Sequence, residues 1–290
     1  MLELMVDGAN QLGECVLWCE RSERVLWTDI LGAKLYAHHP ATGKTGSWPM
    51  PEPLASFALT GSDDRLLLGL ASQLAFFDFS TGAVTPIFTV EAGLTTRLND
   101  GRCDRQGRFV FGTFNTVEPR ERIGSYYRLG ADLQLERLSL PSCAIANSIC
   151  FSPDGVTMYY CNSPDRAIRC CDYDPVTGAI TNDRVFVALD GDAGEPDGSC
   201  IDAEGHLWNA QWGASRVVRY TPQGKVERVF VSPALQPSCV AIGGAALNTL
   251  YVTSARVGMS EPAVHDGALF QKKLTDVRGL AESRFAFSIN

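Results

Sequence analysis

The sequence of 290 residues predicts an all-β fold, a six-bladed β-propeller, on three observations. A strand-like run, an aromatic residue and a short polar turn recur six times, spaced about 40 to 50 residues apart, the length of one four-stranded blade. No long 3.6-residue apolar period competes, which excludes a helical solenoid. Side-chain oxygens also sit beside turns at the starts of β-rich runs in four separate repeats: Glu14 in Leu12-Gly13-Glu14, Asn99 in Arg97-Leu98-Asn99-Asp100-Gly101, Asn147 in Ala146-Asn147-Ser148, and Asp197 in Pro196-Asp197-Gly198. A propeller brings equivalent points of its blades to one mouth of a central channel, where four such oxygens would hold a hard divalent cation.

The repeats follow in order. Residues 26–30 lead to the turn at 39–43, residues 66–70 to that at 79–82, and residues 109–113 to the aromatic run 126–130. Residues 158–162 then lead to the turn at 174–178, residues 207–210 to that at 221–224, and residues 250–253 to the run 268–270. Each apolar run bounded by Pro, Thr and Gly reads as a strand, and Gln106-Gly107, Asp154-Gly155 and Glu204-Gly205 mark tight hairpins. The opening run, residues 2–6, is expected to pair with the last blade and so close the ring without an exposed edge. With no linker or low-complexity segment, residues 1–290 read as a single domain.

A formal net charge of −8 argues against nucleic acid or an anionic membrane as partner. The N-terminus lacks the basic and apolar regions of a signal peptide, and no apolar stretch is long enough to span a bilayer. A cytoplasmic protein, monomeric or a small homo-oligomer, is expected. The ten cysteines are scattered through apolar runs without metal-binding spacing, so they read as buried, reduced thiols. The four histidines are too few and too dispersed for a histidine-rich zinc site, and His38 and His39 read as exposed residues of a polar turn.

Oxygen donors favour calcium, magnesium or manganese as the one divalent ion, with zinc and iron left open. Two imitations can be set aside. Gly43-Lys44-Thr45 ends like a phosphate-binding loop, but His38 stands where its first glycine belongs. Residues 190–195 resemble a calcium loop, but Gly194 replaces a ligand and no helices flank it. The absence of a G-x-S-x-G elbow excludes a serine hydrolase of the α/β type.

Together with Leu26-Trp27-Thr28-Asp29-Ile30, Gly107-Arg108, Gly112-Thr113, Pro196-Asp197-Gly198-Ser199-Cys200-Ile201-Asp202 and Ala255-Arg256-Val257-Gly258-Met259, the four oxygen-bearing motifs resemble the SMP-30/gluconolactonase family, which includes regucalcin and bacterial sugar lactonases. The likeness spans nearly the whole chain in motif order. It implies a six-bladed propeller with one catalytic divalent metal, held by Glu14, Asn147 and Asp197. Asn99 would lie beside it as a further ligand or substrate contact, Arg97 would bind the lactone, and Glu118 would be the family's substrate-binding acid. The sequence departs from the pattern at Cys15 and Val16, where the family has Gly-Pro, and at Ser148, where it has glycine; neither change removes a ligand.

Lactone hydrolysis needs a polarised carbonyl, a water nucleophile and a stabilised oxyanion, the first and last of which a metal supplies. Asp197 is the expected base and Arg97 the forked donor that orients a polyol. The alternative for Arg97 is a structural salt bridge to Asp100 or Glu91. The reading is hydrolysis of a sugar-derived γ- or δ-lactone to the aldonic acid in sugar catabolism. Its rivals are a non-catalytic calcium-binding regulatory propeller and a related propeller esterase or phosphotriesterase.

Overall fold

A computed structural model describes residues 1–189, 191 and 194–287. Strands arrange as six four-stranded antiparallel sheets, in which the six runs recognised in the sequence are the second strands. The first strands are β2 (Gly13–Cys19), β6 (Leu54–Leu59), β10 (Thr96–Cys103), β14 (Ala146–Phe151), β18 (Glu195–Ile201) and β22 (Gln236–Gly243). They pack against one another around a ring and line the axis. Apart from β10 they are buried almost throughout, whereas outer strands such as β5 (Lys44–Pro49) and β17 (Ile180–Ala188) are mostly exposed. That gradient explains why the outer strands carry more polar and charged side chains than most of the inner ones. β1 (Glu3–Val6) pairs antiparallel with β24 (Leu269–Lys273) as the outer strand of the sixth blade, closing the ring as expected.

Large side chains fill the gaps between blades. Trp18 of the first blade stacks on Tyr251 of the sixth at 6.1 Å, and Trp27 and Trp208 are fully buried. Truncating one of these to alanine would cost about 3–5 kcal/mol. The hairpin glycines Gly107, Gly155 and Gly205 have φ of 82°, 76° and 81°, the left-handed conformation that a glycine turn supplies.

The third and fifth blades share a further device. Asp104 accepts from the backbone N–H of Gln106 and Arg108 and from the hydroxyl of Tyr173. Asp202 likewise accepts from the N–H of Glu204 and His206, from Trp208 Nε1 and from two nitrogens of Arg219. Asp202, Glu204 and His206 come within 4.8 Å of one another. Asp202 is nevertheless saturated with donors, and a guanidinium already occupies its cationic position, so the cluster is a structural knot.

All ten cysteines are buried and free, as expected. His38 departs from expectation: β4 (Lys34–His39) runs through it, so the turn starts later, and the ring is buried with Nδ1 2.8 Å from Thr45 Oγ1. Burial, and then the neighbouring His39, hold its pKa below the ordinary histidine value. Of the calcium-loop imitation, Asp190, Asp192 and Ala193 lie outside the described residues. Among the described residues no helix is long and apolar enough to cross a membrane.

Candidate active site

All six first strands carry a register shift in their first half, and this delivers the side chains to the channel. In the first blade, pairing jumps from Glu14–Thr28 to Leu17–Leu26, leaving one extra residue on the inner strand. The same jump separates Leu98 from Gly101, Asn147 from Cys150 and Pro196 from Ser199. A bulge of this kind breaks the alternation and re-aims a side chain. Glu14 and Asn147 are the last paired residues before their bulges, Asn99 and Asp197 lie inside theirs, and all four line one cavity of about 770 Å³. The cavity opens where first strands begin and second strands end, which places the four oxygens from four repeats at one mouth of the channel.

Two of the bulges contain a non-glycine residue with left-handed backbone, Cys15 (φ 47°) and Ser148 (φ 60°), the positions at which the sequence departs from the family pattern. Such a conformation costs about 1–2 kcal/mol for a residue with a Cβ. Each side chain makes a contact that glycine could not. Phe57 N donates to Cys15 Sγ at 3.3 Å, tying the first blade to the second. Ser148 Oγ donates to the Asp197 carbonyl at 2.6 Å, and Asn209 Nδ2 donates to that carbonyl at 3.0 Å. The backbone of Asp197 is thereby held from two blades. At Gly198 no Cβ fits, because it would lie 2.7 Å from Cys239 Sγ.

On the cavity floor Asn147 Nδ2 donates to Ser163 Oγ at 2.9 Å, and Ser163 donates to the Pro196 carbonyl at 2.8 Å. Asn147 Oδ1 accepts from Asn99 Nδ2 at 3.1 Å, which leaves one of its lone pairs for a ligand. Asn99 Oδ1 in turn accepts from Arg97 Nη1 at 2.6 Å. Asn99 therefore links Arg97 to Asn147. Arg97 Nη1 also donates to the Leu98 carbonyl at 2.8 Å, and its guanidinium carbon lies 4.4 Å from the Phe114 ring centre. Among the described residues no salt bridge joins it to Asp100 or Glu91: Asp100 accepts from Ile149 N, and Glu91 from Tyr127.

The electrostatics suit a bound cation. Glu14 and Asp197 interact directly, and both hold their protons far above the ordinary carboxylate range. Burial is the main cause for each; Asp100 adds to the effect at Glu14, and Glu14 followed by Asp100 adds to it at Asp197. Glu14 is pushed up to about 8. Burial also raises Asp100 to about 6 and lowers Arg97 to about 10, the latter opposed by Glu14 and Asp197. Two buried carboxylates in contact ionise together only if a cation takes the place of the shared proton. Glu14, Asp197 and the Asn147 oxygen form the hard donor set a divalent ion requires, so these residues fit the expected metal.

Glu118 is the one expected site residue that does not line the cavity. Its carboxylate pairs with Arg120 Nη2 at 3.0 Å, and Arg120 does line it. Sequence reasoning missed Ser163, Asp100, Phe114 and Arg120. Only Asp100 carried a signal, as part of the Asn99-Asp100-Gly101 bulge; the other three are placed by tertiary contact. The lining also includes the apolar side chains Leu12, Ile30, Ile145 and Trp212.

A match to the SMP-30/Gluconolactonase/LRE-like region covers residues 12–256. An L-arabinolactonase from Azospirillum brasilense is 52% identical across 98% of this chain and 95% of its own. A 6-deoxy-6-sulfogluconolactonase from Pseudomonas putida is 31% identical, with 98% of each covered. Among solved structures, a calcium-binding protein, regucalcin, from Agrobacterium tumefaciens superposes with a TM-score of 0.93 at 31% identity, covering 99% of this chain and 98% of that one. The chain belongs to the SMP-30/gluconolactonase family.

Proposed function

We propose that this lactonase is a metal-dependent, cytoplasmic aldonolactonase that opens a sugar γ- or δ-lactone to its aldonic acid, an L-arabinolactone being the first candidate substrate. The observation that carries the reading is the buried Glu14–Asp197 pair beside Asn147 and Arg97 on the floor of one open cavity. The most similar named relative cited above acts on such a lactone and aligns over nearly the full chain. When bound, a divalent cation would polarise the lactone carbonyl and stabilise the oxyanion.

The chain's own residues supply the rest. Glu14, Asn147 and Asp197 would hold the ion, and Ser163 and Asn99 fix the Asn147 amide for that role. Arg97 presents its free N–H groups to the ring hydroxyls, because Leu98 and Asn99 hold one nitrogen and Phe114 holds the plane. Asp197 takes a proton from water as its oxygen bonds to the carbonyl carbon. It returns that proton to the ring oxygen as the acyl–oxygen bond breaks, releasing the aldonic acid.

Two other readings have support. The likeness to a calcium-binding regucalcin supports a calcium-binding regulatory propeller, and the apolar side chains of the lining support an aryl-ester or phosphotriester hydrolase. A pH-indicator assay decides among them, run on freshly made aldonolactones, plain γ-butyrolactone, phenyl acetate and an aryl phosphotriester. The expected result is kcat/KM at least about tenfold higher on hydroxylated lactones than on butyrolactone, the worth of a charged hydrogen bond. Equal rates on butyrolactone, preference for the aryl substrates, or no turnover of any compound would each refute it.

A further inference from the structure

We infer that Arg120 is a substrate-contacting, specificity-determining residue, held on one side by Phe114 and on the other by Glu118. The inference rests on the lactonase reading and extends it to the outer half of the cavity. Phe114 is the direct cross-strand partner of Arg97, pairing β10 with β11 (Phe109–Asn115). Neighbours so paired lie close enough for an aromatic ring to meet a long side chain. The ring carries two guanidiniums: the Arg97 carbon lies 4.4 Å from its centre and the Arg120 carbon 5.1 Å. Phe114, Arg97 and Arg120 all line the cavity. A ring face attracts each cation and fixes the plane in which its N–H groups point. One phenyl group thus organises a deep cation beside the floor and a second one nearer the mouth.

The other contact of Arg120 is weak. Arg120 and Glu118 are 42% and 67% exposed in their side chains, and solvent screens an exposed pair of this kind, so it contributes little. Arg120 can therefore exchange Glu118 for hydroxyl groups of a bound sugar at little cost, whereas Phe114 keeps it over the cavity. This accounts for an acid in this loop that does not itself reach the cavity. Arg97 reads the substrate next to the lactone carbonyl, and Arg120 reads the hydroxyls farthest from it. Phe114 is a positioning residue for both.

The test compares parent, Arg120→Met, Glu118→Gln, Phe114→Leu and Phe114→Tyr on two lactones, a pentonolactone and the analogue lacking its exocyclic hydroxymethyl group. Binding of the non-hydrolysable lactam of the same pentose is measured by calorimetry. Arg120→Met is expected to lower kcat/KM on the pentonolactone about tenfold, mostly through KM, and to weaken lactam binding to the same extent. On the truncated analogue the change should stay below about twofold. Glu118→Gln should change either value less than about threefold, and Phe114→Leu should impair both lactones, with Phe114→Tyr restoring them. Equal losses on both lactones, or parent-like constants on both, would overturn the role of Arg120. A parent protein that binds the lactam through Arg120 but opens no lactone would instead overturn the lactonase reading alone.

Discussion

The two ends of the channel are built from the same six strands and are chemically opposite. At the end where the first strands begin, bulges turn Glu14, Asn99, Asn147 and Asp197 toward a cavity, leaving two carboxylates to share a proton. At the end where they finish, Arg102, Cys103, Cys150 and Cys200 surround a small gap capped by Leu280, Ala281 and Glu282 of the C-terminal segment. Arg102 is paired there with Glu282 at 3.3 Å, both side chains being largely buried. Burial pulls the Arg102 pKa down, but Glu282 first, and then Cys239, Cys200 and Asp100, hold it above its ordinary value. The segment is fastened across several blades: Gly279 N donates to Leu247, Phe285 N to Leu59 and Ala286 N to Gly107. One end thus has its charges satisfied within the chain, and the other leaves them for a ligand. Unmatched charge marks the functional end.

Substitutions at each end should separate activity from stability. Asp197→Asn keeps the size and an oxygen but removes the proposed base, so kcat should fall at least about a hundredfold while the melting transition stays cooperative. A folded, metal-loaded Asp197→Asn protein working at the parent rate would remove Asp197 from the mechanism. At the closed end, Glu282→Gln leaves Arg102 buried without its nearest carboxylate. That should cost about 3 kcal/mol in denaturant unfolding and leave kcat unchanged. A loss of kcat without a loss of stability would show that the closed end is part of the site.

A third comparison uses the pH dependence of metal-free stability. Glu14 has a folded-state pKa raised to about 8, above its unfolded value, so the native state binds more protons than the unfolded one across that interval. Stability should therefore fall as pH rises from about 5 to 8, and be fully retained only below the ordinary carboxylate range. The buried His38, whose folded-state pKa is lowered, gives the opposite slope near its ordinary value. The diagnostic quantity is thus the difference between the parent and Glu14→Gln, which share His38. The parent should lose more stability with rising pH in chelator, and the difference should shrink with a divalent ion present. Parallel curves in chelator would mean that the pair carries no excess proton.

Much of the open end was legible because oxygen-bearing residues beside glycine, at the starts of strand-like runs, recur at the blade period. The closed end was not legible. Residues 274–287 have no such period, and their function lies in single hydrogen bonds to distant blades. Phe114, Arg120 and Ser163 were missed for the same reason: an aromatic residue in a strand, an arginine in a loop and a serine after a strand look ordinary until strand pairing places them. His38 differs from the exposed turn residue expected because β4 continues through it and pairs it with Val25 and Thr45. At Cys15 and Ser148 the departures from the family pattern were visible, but their consequence was not. It took the left-handed backbone and the bonds to Phe57 and Asp197 to show that these residues tie neighbouring blades together behind the site.

On the proposed mechanism the carboxylate pair at the open mouth is a divalent-cation site on which lactone hydrolysis depends. The direct measurement is turnover of L-arabinolactone by protein stripped with chelator, verified metal-free, and then titrated with Ca²⁺, Mg²⁺, Mn²⁺ or Zn²⁺ while calorimetry follows binding. Activity is expected to fall at least about a hundredfold on stripping and to return as one ion binds per chain, the scale of several kcal/mol of charge stabilisation. Stripped protein that hydrolyses the lactone at the full parent rate would contradict the account.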